Sequence, residues 1–167
     1  MREKTKRLAF LGLATALAMV FSYIEVILPP IWSAVPGIKV GLANIIIIFL
    51  LYRMSFKEAA VVSFIRILLT ALLFGNPMTL AYSIAGAVLS LATMTLLKKW
   101  DVFSMTGVSI AGGVTHNLGQ ILVAMFVLQT REIAYYMIIL AITGTVAGVF
   151  IGLGGALLLK YTKKWKF

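Results

Sequence analysis

Residues 104–128 read SMTGVSIAGGVTHNLGQILVAMFVL and contain no Asp, Glu, Lys or Arg. A helix rises about 1.5 Å per residue, and a bilayer's hydrocarbon core takes about 20 apolar residues to cross. This stretch is long enough. Five more apolar segments flank it, at about 8–28, 37–52, 56–74, 77–97 and 133–159. The whole chain of 167 residues is 62% hydrophobic and 12% charged. Soluble proteins run at about 45–50% and 25%. The chain cannot furnish a polar coat, which excludes a soluble globular fold and a disordered chain. The long continuous runs also argue against a β-barrel, whose strands alternate over about ten residues. The expectation is an all-α integral membrane protein, a bundle of six transmembrane helices occupying 1–167 as one domain. The first segment ends at Pro29-Pro30 without a small-x-small cleavage site, so it reads as a retained helix and not a signal peptide.

Local signals agree with these boundaries. Ser55 and Glu58 form an S-x-x-E capping box ahead of the third segment. Asn76 precedes Pro77 at the start of the fourth, an N-cap followed by proline at the first helical position. The net charge of +10 is distributed in short basic runs between segments. Arg2, Lys4, Lys6, Arg7, Arg53, Lys57, Lys98, Lys99, Lys160, Lys163, Lys164 and Lys166 fall on one side, against Lys39 and Arg131 on the other. The positive-inside rule then puts both termini in the cytoplasm of a multi-pass protein of the cell membrane. No aromatic-interleaved basic patch remains to suggest nucleic acid. There is no cysteine, hence no disulfide or thiolate metal site.

Membrane helices associate through small residues that let backbones approach. Gly144, Gly148, Gly152 and Ala156 are spaced by four, as are Gly107, Ala111, Thr115 and Gly119; both stripes are assigned to internal packing. In the first segment Gly12, Ala14, Ala16 and Ala18 are small at every second position. Small residues therefore cover more than one side of that helix, and one side is expected to serve as a partner interface.

Ionisable groups inside a bilayer are costly and mark function. Arg66 lies eleven residues past Ser55 and His116 twelve past Ser104, each roughly 16–18 Å into the membrane. Gln120 follows His116 by one turn, with Asn117 beside it. Asn44 lies near the outer half of the second segment, with Lys39 above it. Lys39, Asn44, Arg66, His116, Asn117 and Gln120 are the candidate substrate-binding residues, with Glu25 as an alternative, structural partner of Arg66. The cationic excess suits an anionic group, a carboxylate or a phosphate. Trp32, on the outer stretch 28–38, serves equally as a lid or an interfacial anchor. A single His cannot build a multi-His metal site, and no metal site is expected.

Four strings carry a resemblance: PGIKVGLAN (36–44), FIRI (64–67), LLFGNP (72–77) and GVSIAGGVTHNLGQ (107–120). They are similar to the Gx transporter family, whose members are often labelled heptaprenyl diphosphate synthase component I. That family in turn is similar to the S components of energy-coupling-factor (ECF) transporters. The resemblance implies a six-helix subunit that takes a vitamin-like solute from outside. A transmembrane T component and two ATPases, which consume ATP, would drive it. It also implies contact with the T component through an Ala-x-x-x-Ala stripe on the first helix, which Ala14 and Ala18 match. It transfers no ligand residues.

Catalysis is not expected. Prenyl diphosphate synthesis needs paired Asp residues for Mg²⁺, and Asp101 is the only Asp. No P-loop and no Ser/His/Asp set is present. A second class is a membrane subunit of a flavin- or quinone-linked extracytoplasmic electron-transfer system, with flavin or quinone held non-covalently in the outer pocket. Thr106-Gly107-Val108-Ser109 resembles a flavin-attachment motif only in part, with Val108 where a small residue is usual. A third class is an accessory protein in polyprenyl diphosphate or quinone synthesis. The topology is directly testable on a chain without cysteine. Single cysteines at Ser33 and Gly75 should react with an impermeant thiol reagent from outside, and one at Lys99 should not; external labelling at Lys99 contradicts it.

Overall fold

The structure, a computed structural model, describes residues 2–27 and 41–164. Six α-helices follow in order: α1 (Arg2–Ile27), α2 (Asn44–Arg53), α3 (Phe56–Phe74), α4 (Pro77–Trp100), α5 (Met105–Leu128) and α6 (Tyr136–Tyr161). A 3-10 turn, Arg131–Tyr135, leads into α6. Among the described residues there are no strands. Four helical stretches are long and apolar enough to cross a membrane: Glu3–Ile27, Pro77–Trp100, Met105–Leu128 and Arg131–Tyr161. The outer faces match that solvent, with Leu72, Phe126 and Ile138 each exposing 69% or more of their surface.

The starts of the helices are written in the local sequence. The Ser55 hydroxyl accepts from Lys57 N–H at 3.2 Å and also bonds the Glu58 carboxylate, fixing the start of α3. Asn76 and Thr79 cap α4 reciprocally: Asn76 Oδ1 accepts from Thr79 N–H and Thr79 Oγ1 from Asn76 N–H, both at 2.9 Å. Ser104 accepts from Gly107 N–H at the start of α5. α1 begins earlier than the apolar pattern indicated, and its first turns are tied down where Arg7 forms an ion pair with Glu58 of α3.

The second segment differs most from expectation. The sequence indicates a helix from 37; in the structure α2 begins at Asn44 and is ten residues long. That is about 15 Å, half the hydrocarbon thickness. The cause is Gly41, whose φ of +78° is left-handed, so the chain turns there and Asn44 N–H closes on Gly41 C=O at 2.8 Å. Residues Ile46 to Leu51 are all buried, so α2 is a helix inside the bundle, in contact with α1, α3 and α6. Lys98 of α4 donates to Leu51 C=O at 2.6 Å and so satisfies a free carbonyl at the α2 C-terminus. Lys39 and Trp32 lie outside the described residues.

α5 packs most extensively on α6 and on α4. A Cβ added at Gly148 would come within 2.5 Å of the Ile110 Cα, and one at Gly113 within 2.4 Å of the Gly144 oxygen. These backbones are in direct contact, as the α6 stripe indicates. On α5 the residues facing α6 are Thr106, Ile110 and Gly113. Of the stripe read from Gly107, Gly119 packs internally against α4, where a Cβ would come within 2.6 Å of the Ala85 oxygen, whereas the atoms near a Cβ at Gly107 belong to Ser104 and Phe103.

The partner interface assigned to the first helix needs correction. Ala14 is 4% and Ala18 0% exposed, both inside the bundle core with Phe49 and Leu50. Gly12 and Ala16 are the exposed members, and nothing lies within 4 Å of a Cβ added at Gly12. The two small faces exist, but the Ala-x-x-x-Ala face is buried against the chain's own helices. Ala18→Trp should therefore cost about 1–3 kcal/mol or more through overpacking, whereas Ala16→Trp should leave stability nearly unchanged. Thermal unfolding in detergent checks this; equal losses contradict the assignment of faces.

Candidate ligand-binding cavity

Asn44, the first residue of α2, stands at a cavity of about 580 Å³ bordered by the other helices, within the range of small-molecule sites. Five of the six residues singled out from the sequence line it: Asn44, Arg66, His116, Asn117 and Gln120. The sixth, Lys39, is outside the described residues.

Each is placed by a different part of the fold. Asn44 is the first residue of α2, and its Oδ1 accepts from Arg66 Nη2 at 3.2 Å. Arg66 reaches it from the middle of α3. On α5, His116 and Gln120 are one turn apart, with Gln120 Nε2 and His116 Nε2 at 3.3 Å. The imidazole lies against Gly86 of α4, where a Cβ would meet the ring at 2.8 Å. Asn117 turns toward α6 and donates to Leu140 C=O at 2.6 Å, a tie between two helices. Asn117 therefore combines a structural bond with a place on the cavity wall.

The sequence reading left out Ser22 of α1 and Thr70 of α3, which also line the cavity. Helical spacing would have found them: Ser22 precedes Glu25 by three residues, and Thr70 follows Arg66 by four. Glu25, considered only as a structural partner, is on the wall as well. Its Oε1 accepts from Leu42 N–H at 2.7 Å, and its charge acts on Arg66. Ser22 Oγ, Arg66 Nε and Thr70 Oγ1 are buried and have no hydrogen-bond partner among the described residues. Buried polar atoms left unsatisfied are rare and costly. Three on one cavity wall call for a polar guest. The α6 wall is different, with Ile142, Val146 and Phe150 giving it an apolar character.

Among the described residues no three His, Asp or Glu side chains come together where a metal could sit. The partial flavin-attachment motif lies in the first turns of α5, where Val108 is 0% and Ser109 3% exposed.

Fold and cavity together define an all-helical, multi-pass membrane protein with a ligand-sized chamber among its helices. Residues 14–158 match the sequence family described as heptaprenyl diphosphate synthase component I, and the chain belongs to that family, the Gx family. No curated protein and no solved structure matches it significantly.

Proposed function

We propose that the chain is the membrane-embedded binding subunit of a transporter of the energy-coupling-factor type. It takes a small, anionic, vitamin- or cofactor-like solute from the outer side of the cytoplasmic membrane. In this reading the bundle lies in the membrane with both termini inside, as the basic residues of the links indicate. The single observation that carries it is the cavity, with Arg66, Ser22 and Thr70 offering buried, unpartnered donors on one wall. An anion in a low-dielectric chamber needs such donors, because hydrogen bonds to a charged acceptor replace the hydration it loses.

The family description names a synthase component. The residues favour a non-catalytic role: Asp101 is the one Asp, and it lies on the link between α4 and α5 and does not line the cavity. A binding subunit without an ATPase motif has no energy source of its own. A T component and ATPase subunits are accordingly the proposed partners, and the exposed small residues Gly12 and Ala16 are the proposed contact.

Affinity purification of the tagged protein from its native membrane tests the reading. Wild type should bring down a polytopic membrane protein and an ATPase. Gly12→Trp combined with Ala16→Trp should lose both while keeping the wild-type unfolding midpoint. Failure of wild type to recover any ATPase under mild solubilisation contradicts the transporter reading. A purified protein that instead carries the visible absorbance of flavin, or the ultraviolet absorbance of a quinone, supports the electron-transfer alternative.

A further inference from the structure

We propose that the cavity is polarised, with hydrogen-bond donors on its α2–α3 wall and acceptors on its α5 wall, so that its ligand carries a hydroxyl or N–H group at the end away from its acid group. This rests on the reading of the cavity as an anion-binding site and adds a second recognition element to it.

Three side-chain amides line the cavity: Asn44, Asn117 and Gln120. An amide has a donating NH₂ and an accepting oxygen, and whichever end a neighbour takes, the other is left for a guest. Arg66 can only donate. The Asn44 atom that meets Arg66 Nη2, at 3.2 Å, is therefore Oδ1, and the donor Nδ2 is left over. Asn117 is fixed the other way round. A backbone carbonyl can only accept, so the atom that meets Leu140 C=O, at 2.6 Å, is Nδ2, and the acceptor Oδ1 is left over. Nδ2 is also the atom that a Cβ at Gly144 would meet at 2.9 Å, which puts the amide nitrogen against α6.

Gln120 is fixed through His116. The imidazole lies against Gly86 and is hydrogen-bonded to its backbone. Gly86 is inside α4, so its N–H is spent within the helix and its carbonyl is the group on offer. The ring donates there. An imidazole is mainly neutral above about pH 6.5 and then has one donor nitrogen and one acceptor. Its Nε2 is accordingly the acceptor, and the Gln120 atom 3.3 Å from it is the donor Nε2. Among the described residues, Gln120 Oε1 and Asn117 Oδ1 have no hydrogen-bond partner.

The two sets border one space. Helix α3 packs on α1, α2 and α4, helix α5 packs on α4 and α6, and the cavity lies between α3 and α5. On one side are Asn44 Nδ2 and the Arg66 N–H groups not taken by Asn44, which only donate, with the adaptable hydroxyls of Ser22 and Thr70. On the other are two amide oxygens that only accept. Of the remaining polar groups on the wall, the Ser83 hydroxyl is adaptable, Thr79 is engaged with Asn76, and Thr143 gives its proton to Leu140 C=O. Glu25 of α1 is an acceptor engaged with Leu42 N–H and belongs to neither set. A ligand that fills the cavity with an acid group alone satisfies the first side. It leaves the two amide oxygens without water and unpaired, which is costly in such surroundings. A site with polar groups left unpaired in this way rejects the analogue that lacks the matching donor.

The test uses the full-length protein in detergent at pH 8, read by ligand-dependent thermal unfolding. The probes are phenylacetate, its 3- and 4-hydroxy derivatives and the two matching methoxy derivatives, which keep the oxygen and lose the donor. In wild type at least one hydroxyphenylacetate should bind about fivefold or more tighter than both its methoxy counterpart and phenylacetate, the size of one net hydrogen bond. Gln120→Met or Asn117→Leu should cut that advantage to about twofold or less. Arg66→Leu should lose every probe. Absence of a hydroxyl advantage in wild type overturns the proposal, and it leaves the anion-site reading standing where phenylacetate binds wild type and not Arg66→Leu. An advantage that survives intact in both Gln120→Met and Asn117→Leu puts the contact elsewhere, at Glu25 for instance, and also overturns it. The Gln120 bond lies within α5, so Gln120→Met decides alone if Asn117→Leu, which gives up a tie to α6, does not fold. If no probe stabilises wild type up to its solubility, the proposal falls together with the anion-site reading.

Discussion

The half-length of α2 is the constraint on which the rest depends. An apolar run such as Ile45–Leu51 would ordinarily continue through the bilayer. Here the left-handed turn at Gly41 stops it, and Asn44, at its start, becomes a polar residue of the cavity wall. The cavity beside it is bordered by α1, α3, α4, α5 and α6, and Arg66 faces it from α3. The Arg66–Asn44 bond, at 3.2 Å, joins the start of α2 to the middle of α3 and fixes the guanidinium at that depth. Glu25 binds the same turn from α1 through Leu42. Three helices thus meet at one polar junction, and the apolar α2 below it is sealed by Lys98 at its other end.

The opposite wall depends on close helix approach. Direct contact of α5 with α6 at Gly113 and Gly148 brings the two backbones together. Asn117 of α5 reaches across to Leu140 C=O of α6, while His116 lies against Gly86 of α4. Small residues in a membrane helix serve backbone proximity first, and the placement of the polar groups follows from it. The chamber that results is rich in donors and poor in the carboxylate pairs that phosphoryl and prenyl chemistry requires.

Much of this could be read in the sequence. Caps are local chemistry, so Ser55 and Asn76 marked the starts of α3 and α4 correctly. Depth along a helix is simple arithmetic, so Arg66, His116 and Gln120 were placed in one region before any coordinates. Two features were less legible. An apolar run does not reveal where a glycine will take positive φ, so the start of α2 was drawn seven residues early. Alternating small residues show that a helix has two smooth faces without showing which one turns inward, and the choice of Ala14 and Ala18 as the outer pair was the wrong one. Glu25 was seen as a partner for Arg66, but its hold on Leu42 involves a turn that no sequence pattern announces.

The central claim is that Arg66 holds an anionic solute in the cavity. Native mass spectrometry of the protein released from its own membrane addresses it most directly. Wild type should carry a small molecule bearing an acid group at substantial occupancy. Arg66→Leu, folded by the same unfolding assay, should emerge without it. The same molecule retained at the same occupancy by Arg66→Leu would contradict the account.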